Sequence, residues 1–290
     1  MSDLQGKTCI VTGATSGIGE ASAEALALRG ADVAIVCRSA ERGEATKARI
    51  EKRTGRACVR LFGADFERLA DVRRVAEELD RELPRVDVLL NNAGVTMLAR
   101  SETPDGYETT FAVNHLAPFL LTNLLMPKLL ARPGARIVNV ASHAHRFGWF
   151  DLDDLQSRKR YSALRVYGGS KLANVLFTNE LAGRVGRRDL RIWSVHPGAV
   201  ATRLGANNGG IAKILLPVLA LFFRTPAQGA ATSIHLCADP GIDAKNGTYF
   251  ADMKPVPLVG RAEDPALARA LWSESEKLVG LAGGTNAIWQ

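Results

Sequence analysis

The chain has 290 residues, 47% of them hydrophobic and 23% charged, with 37 Lys and Arg against 30 Asp and Glu. That composition excludes a disordered tail, a collagen and a disulfide-rich miniprotein, and a core of this size needs no metal or disulfide staple. The net charge of +7 is interleaved with Glu and Asp on stretches such as 41–56, and Arg158-Lys159-Arg160 is the only tight basic run. This reads as a solvated surface and not as a nucleic-acid face. Cys9, Cys37, Cys58 and Cys237 form no C-x-x-C pair and sit in apolar runs, as buried thiols in a reducing compartment would. The amino terminus shows no signal-peptide apolar region, so a cytoplasmic protein without a transmembrane segment is expected.

Strand-length apolar runs are predicted over 7–12, 32–37, 56–62, 86–91, 135–141, 190–196 and 247–250. Helix-length segments fall between them, near 17–29, 40–53, 67–81, 106–131, 168–185, 226–237 and 264–279. Such alternation predicts an α/β fold with a seven-stranded, mainly parallel sheet covered on both faces. No long polar linker divides it, so residues 1–290 read as one domain. Two stretches break the rhythm, 143–166 and 203–225, and long insertions after strand ends line the ligand crevice of such sheets. Within the second, the apolar run 211–223 spans roughly 20 Å as a helix, short of the ~30 Å hydrocarbon core. It is read as a lid over an apolar pocket, with a subunit contact or a membrane-surface helix as alternatives.

The first strand is followed by Thr12-Gly13-Ala14-Thr15-Ser16-Gly17-Ile18-Gly19 and then a helix. Glycines let the backbone approach a pyrophosphate, and the helix start turns free N–H groups and a positive dipole end toward the anion. Between a strand and a helix at the head of the chain, the pattern points to a dinucleotide. At the end of the second strand, an acid would bind the ribose 2′-hydroxyl of NAD. Cys37 stands there instead, followed by Arg38, whose forked donors suit a 2′-phosphate. NADP is therefore favoured over NAD.

Three further segments carry a family likeness: Val88-Leu-Leu-Asn91-Asn92-Ala93-Gly94, Val138-Asn-Val-Ala-Ser142, and Tyr167-Gly-Gly-Ser-Lys171. With the first-turn glycines they resemble the single-domain branch of the short-chain dehydrogenase/reductase superfamily, which implies a doubly wound Rossmann fold. The run from Ser170 to Thr178, then Ser194-Val-His196-Pro197-Gly198, then Leu271-Trp-Ser-Glu-Ser-Glu276 look most like its retinol dehydrogenase group. The resemblance implies a catalytic tetrad of Asn114, Ser142, Tyr167 and Lys171. It implies that Gly13, Ser16, Gly17, Ile18 and Gly19 cradle the pyrophosphate and that Arg38 takes the 2′-phosphate. Asp65, with Phe66 beside it, would reach the adenine, and Asn92, Ala93 and Gly94 would run along the adenine ribose. Pro197, Gly198 and Thr202 would hold the nicotinamide carboxamide, with Tyr167 and Lys171 also against the cofactor. Gly168 and Gly169 are expected to loosen the helix start.

Tyr167 and Lys171 are four apart and share one helix face. A phenol near its usual ~10 is a poor base at neutral pH, and a neighbouring ammonium, with an oxidised nicotinamide, is expected to lower it. Tyr167 would then exchange a proton with the substrate oxygen, and Ser142 would hydrogen-bond that oxygen. Asn114 would position a water linked to Lys171. Among the five histidines only His143 and His145 have a ligand-like spacing, and no metal is required. The function expected is reversible alcohol–carbonyl conversion on a small apolar, retinol-, ketone- or aldehyde-like substrate. The alternative is a catalytically silent NADP-binding regulator or scaffold. Helices near 106–131 and 168–185 resemble subunit-pairing helices, admitting a homodimer or homotetramer, although Leu172, Val175, Leu176 and Leu181 equally suit the chain's own core.

Overall fold

In the computed structural model, residues 3–198 and 225–281 are described. Their strands are β1 (Thr8–Thr12), β2 (Asp32–Cys37), β3 (Val59–Gly63), β4 (Val88–Asn91), β5 (Ala135–Val140), β6 (Leu190–His196), β7 (Tyr249–Ala251) and β8 (Lys254–Pro255). They form one sheet in the order β3-β2-β1-β4-β5-β6-β7-β8. All neighbours are parallel except β7 and β8. The expected seven strands thus become eight among the described residues. The eighth is a two-residue antiparallel edge, too short for any period to reveal, and the edge tolerates Pro255 without an N–H.

Alternate strand residues feed two cores, as pleating requires. Ile10, Leu89, Ile137 and Ile192 face one side, with α3 (Leu69–Glu82), α5 (Ala117–Leu130), α6 (Ala163–Val185) and α8 (Pro265–Leu278). Cys9, Val11, Val88, Leu90, Val138 and Trp193 face the other, with α1 (Gly17–Leu28), α2 (Ala40–Thr54) and α7 (Pro226–Ala238). With both faces covered, the central strands read as continuous apolar runs.

The predicted helix 106–131 is interrupted. A single turn, α4 (Thr109–Phe111), passes through a π-turn (Ala112–Leu116) into α5. Helix α8 lies over α5 and α6, with Trp272 4.9 Å from the Phe119 ring and 5.8 Å from Phe177. Aromatic pairs of this kind contribute about 0.5–1.5 kcal/mol beyond their buried area. Leu172, Val175, Leu176 and Leu181 are fully buried, so these side chains belong to the chain's own core and are not free to pair subunits.

Helix α6 begins at Ala163, five residues before the expected start at 168. Gly168 and Gly169 therefore sit inside it and do not loosen its start. A Cβ on Gly168 would stand 2.9 Å from the Ala144 carbonyl oxygen, and one on Gly169 would stand 2.8 Å from that of Trp149. The two glycines let the segment after β5 pack directly on the helix backbone. The lid reading of 203–225, including 211–223, falls outside the described residues except for Thr225, which caps α7. No described helix is long and apolar enough to cross a membrane.

Candidate active site

The strand order reverses at β1, which pairs with both β2 and β4. A crevice opens at the carboxyl ends of strands at such a switch point. Thr12 ties its two walls together: its hydroxyl accepts from the N–H of Asn92 and of Ala93, each at 3.0 Å, and donates to the Leu90 carbonyl at 3.4 Å. Asn92 returns the contact, donating through Nδ2 to the Thr12 carbonyl at 2.9 Å. Gly13 has φ +67° and lies so close to the other wall that a Cβ would be 2.8 Å from Ala93 Cα. Ser16 is the N-cap of α1 and makes no side-chain capping bond, so the first N–H groups of the helix face the crevice as donors.

At the β2 end, Arg38 contacts Glu67 at 3.2 Å and Asp65 at 3.9 Å. Arg42, on the first turn of α2, donates to the Thr15 carbonyl at 3.2 Å and adds a second cation. Burial pushes the Cys37 thiol up.

At the other end Tyr167 and Lys171 lie on α6. Burial of the phenol outweighs every other influence and holds Tyr167 above the usual phenol value, while its hydrogen bond with Ser142 pulls it down. For the chain itself the direction is therefore upward, because desolvation penalises the phenolate; the lowering expected from Lys171 together with an oxidised nicotinamide belongs to the cofactor-bound state. Burial also draws Lys171 down to about 8. Its Nζ donates to the Val140 carbonyl at 3.1 Å and stands 5.7 Å from the Tyr167 ring centroid.

Asn114 is fully buried in the π-turn, a helix irregularity frequent at functional sites. Its Oδ1 accepts from the Val95 N–H at 2.7 Å, and its Nδ2 donates to the Val95 carbonyl and to Ser170 Oγ, each at 3.0 Å. A Cβ on Gly94 would lie 3.3 Å from Asn114 Oδ1 and 3.5 Å from Lys171 Nζ, so both side chains converge there.

One cavity of about 350 Å³ gathers Gly13, Ser16, Gly17, Ile18, Gly19, Arg38, Asp65, Phe66, Asn92, Ala93, Gly94, Ser142, Tyr167, Lys171, Pro197 and Gly198. Asn114 stands one layer behind this lining, and Thr202 lies outside the described residues. Sequence reasoning missed Thr15, Arg42, Glu67, Val95 and Val113, which also line the cavity. Arg42, in the first turn of the predicted helix 40–53, and Thr15, inside the glycine turn, carried a signal, whereas Glu67, Val95 and Val113 are brought in by the fold. The lining fits a nicotinamide dinucleotide: the Gly13 cradle would be filled by any Cβ, helix donors face it, and cations stand at the β2 end.

The short chain dehydrogenase family profile matches residues 7–210. Retinol dehydrogenase 12 of Mus musculus is 39% identical over 278 residues, covering 96% of this chain and 88% of that protein. Retinol dehydrogenase 14 of Homo sapiens is 40% identical over 295 residues, with the same coverage of 96% and 88%. Among solved structures, an uncharacterized protein from Mycobacterium paratuberculosis superposes with a TM-score of 0.77 at 33% identity, covering 96% of this chain and 94% of that one. A short chain dehydrogenase from Escherichia coli CFT073 complexed with NADPH gives 0.69 at 26% identity, covering 87% and 98%.

Proposed function

The chain belongs to the short chain dehydrogenase family, as a nicotinamide-dependent oxidoreductase acting on CH–OH groups, and from that premise we propose that it uses NADP(H) to interconvert an apolar alcohol and its carbonyl. The observation that carries this reading is the convergence of Ser142, Tyr167 and Lys171 on one wall of the crevice whose opposite end presents Arg38 and Arg42. The nicotinamide ring, when bound, supplies or accepts the hydride.

The chain's own residues move the proton. In reduction the Tyr167 hydroxyl gives its proton to the substrate oxygen; in oxidation the phenolate takes the hydroxyl proton back. The raised phenol keeps Tyr167 protonated at neutral pH, which suits the reductive direction. Ser142 donates a hydrogen bond to the same oxygen and fixes its distance from the phenol. Lys171 remains mostly ammonium at pH 7, by roughly ten to one, and its charge favours the phenolate left after proton donation. Asn114 holds the Val95 backbone beside Lys171. The glycine turn from Gly13 to Gly19 would receive the pyrophosphate, Asp65 and Phe66 the adenine, and Arg38 the 2′-phosphate. Asn92 to Gly94 would follow the ribose, while Pro197, Gly198 and Thr202 would meet the carboxamide.

The apolar substrate class is supported by the run 211–223 and by relatives named as retinol dehydrogenases. We also infer a single domain over 1–290 and a cytoplasmic setting, supported by four buried, unpaired thiols. A homodimer or homotetramer would have to pair through surfaces other than the Leu172 face. The experiment is NADPH consumption with a panel of lipophilic aldehydes and ketones, for wild type and Tyr167→Phe. Turnover lost in the variant is expected. Equal turnover in both would remove Tyr167 from this role, and NADPH binding without turnover on any substrate favours the silent binder instead.

A further inference from the structure

Two histidines singled out by their spacing, His143 and His145, follow Ser142 directly and take separate partners. Ser142 stands just past β5 in extended backbone, φ −163° and ψ 156°, and caps a short 3₁₀ helix, His143–Phe147. Its Oγ accepts from the Ala144 N–H at 3.2 Å. That bond fixes the side chain on its own backbone and leaves the hydroxyl proton to donate elsewhere. His143 joins the turn to β6: its N–H donates to His196 Nδ1 at 3.3 Å, and the two imidazoles stack at 3.8 Å with 24° between their planes.

His145 turns back on Ser142. Its backbone N–H donates to the Ser142 carbonyl at 3.0 Å, and its ring Nδ1 lies 2.7 Å from the same oxygen. A carbonyl oxygen has no proton to give, so Nδ1 carries the proton and donates. Two N–H groups of one residue thus fill both lone pairs of that oxygen. A carbonyl gripped from two directions cannot swing about the Cα–C bond, so ψ of Ser142 is set by His145 while the Ala144 N–H sets its Oγ. His145 is 3% exposed, and its ring meets Tyr249 of β7 edge-on, at 4.7 Å and 69°. A phenyl ring would make that edge contact without the cost of desolvating ring nitrogens. What the imidazole adds is the Nδ1 donor.

We propose that His145 is a positioning residue for Ser142: its Nδ1–H holds the Ser142 carbonyl so that the serine hydroxyl meets the substrate oxygen at a fixed distance from the Tyr167 phenol. The proposal deepens the oxidoreductase reading above and rests on it. Ser142 lines the crevice with Tyr167 and Lys171. His145 stands behind it, bonded to the serine's backbone, and acts through it. The support runs from Tyr249 on β7, through the imidazole, to the end of β5.

The test uses two substitutions that separate the donor from the ring. His145→Asn keeps an N–H at the place of Nδ1 and loses the ring; His145→Phe keeps a ring against Tyr249 and loses the donor. In NADPH-dependent carbonyl reduction by the full chain, His145→Phe is expected to lower kcat about tenfold or more with little change in KM. His145→Asn is expected to retain about a third of kcat or more. In a Ser142→Ala background His145→Phe is expected to lower kcat no further. Nitrogen-15 NMR of the histidine-labelled chain, with the signal assigned by its loss in His145→Asn, is expected to show a proton on His145 Nδ1 at neutral pH. Undiminished kcat in folded His145→Phe, a His145→Asn variant no better than His145→Phe, an additive loss on Ser142→Ala, or a bare Nδ1 each overturns the proposal. Should His145→Phe fail to fold, the Nδ1 proton and the kcat of His145→Asn decide, and a tenfold loss in His145→Asn counts against it. The NMR signal is independent of turnover, so undiminished activity in Tyr167→Phe would refute the proposed catalysis while leaving this hydrogen bond readable.

Discussion

Lys171 Nζ stands 5.7 Å from the centroid of the Tyr167 ring, one helical turn along α6, with the lysine buried and the tyrosine half-buried. Burial draws the ammonium down to about 8 and pushes the phenol up. Carbonyl reduction is therefore expected to hold steady at neutral pH and to fall as pH rises through about 8, where Lys171 loses its proton and its charge no longer favours the phenolate. Lys171→Met should remove that inflection, and Tyr167→Phe should lower kcat by about 10²–10⁴. A pH–rate profile of all three proteins checks this.

Arg38→Ala is expected to weaken NADPH binding by roughly 1–3 kcal/mol, the range for a charge-assisted contact, while leaving NADH affinity nearly unchanged. Arg42→Ala should act in the same sense and more weakly, since its guanidinium is also engaged by the Thr15 carbonyl. Glu67→Gln removes the carboxylate that meets Arg38 at 3.2 Å and should tighten NADPH without affecting NADH. Titration calorimetry with both dinucleotides measures each; a parallel change in NADH affinity would count against the 2′-phosphate role.

Three glycines of α6 should respond oppositely to the same substitution. A Cβ at Gly168 would press on the Ala144 carbonyl at 2.9 Å and one at Gly169 on that of Trp149 at 2.8 Å, whereas one at Gly183 would meet nothing within 4 Å. Gly168→Ala and Gly169→Ala are expected to destabilise by about 1–3 kcal/mol and to move the 143–150 segment, with Ser142 at its root. Gly183→Ala should instead stabilise by about 0.5–1 kcal/mol. Denaturant unfolding of the three variants gives the comparison.

Burial lowers His115 to about 4 from an ordinary 6.5. Between those values the unfolded chain binds a proton that the folded chain refuses, so stability falls as pH drops from about 6.5 to about 4. The loss amounts to about 3 kcal/mol from this one group. His115→Phe should remove that share of the acid sensitivity, seen as a shallower decline of unfolding free energy over this interval. Equal slopes in variant and wild type would show that His115 is protonated while folded.

Most strands were legible because a parallel sheet covered on both faces leaves continuous apolar runs. The ranges 32–37 and 190–196 match β2 and β6 residue for residue. The start of α6 was not legible. Gly168 and Gly169 read locally as a loosened helix start at 168, yet they lie inside a helix that begins at Ala163, where the backbone of 144–149 needs the space their missing side chains leave.

What the sequence determined by itself was local: the α/β alternation, the glycine turn before α1, and the shared helical face of Tyr167 and Lys171. Each follows from backbone periodicity or from the conformations one residue type permits, and neither needs a distant partner. The tertiary structure alone decided that Thr12 clamps Asn92 and Ala93 across the crevice, that Glu67 meets Arg38, and that α8 covers α5 and α6. It also decided the direction of the Tyr167 shift. Desolvation depends on how many atoms from remote segments surround a group, and no spacing along the chain encodes that number.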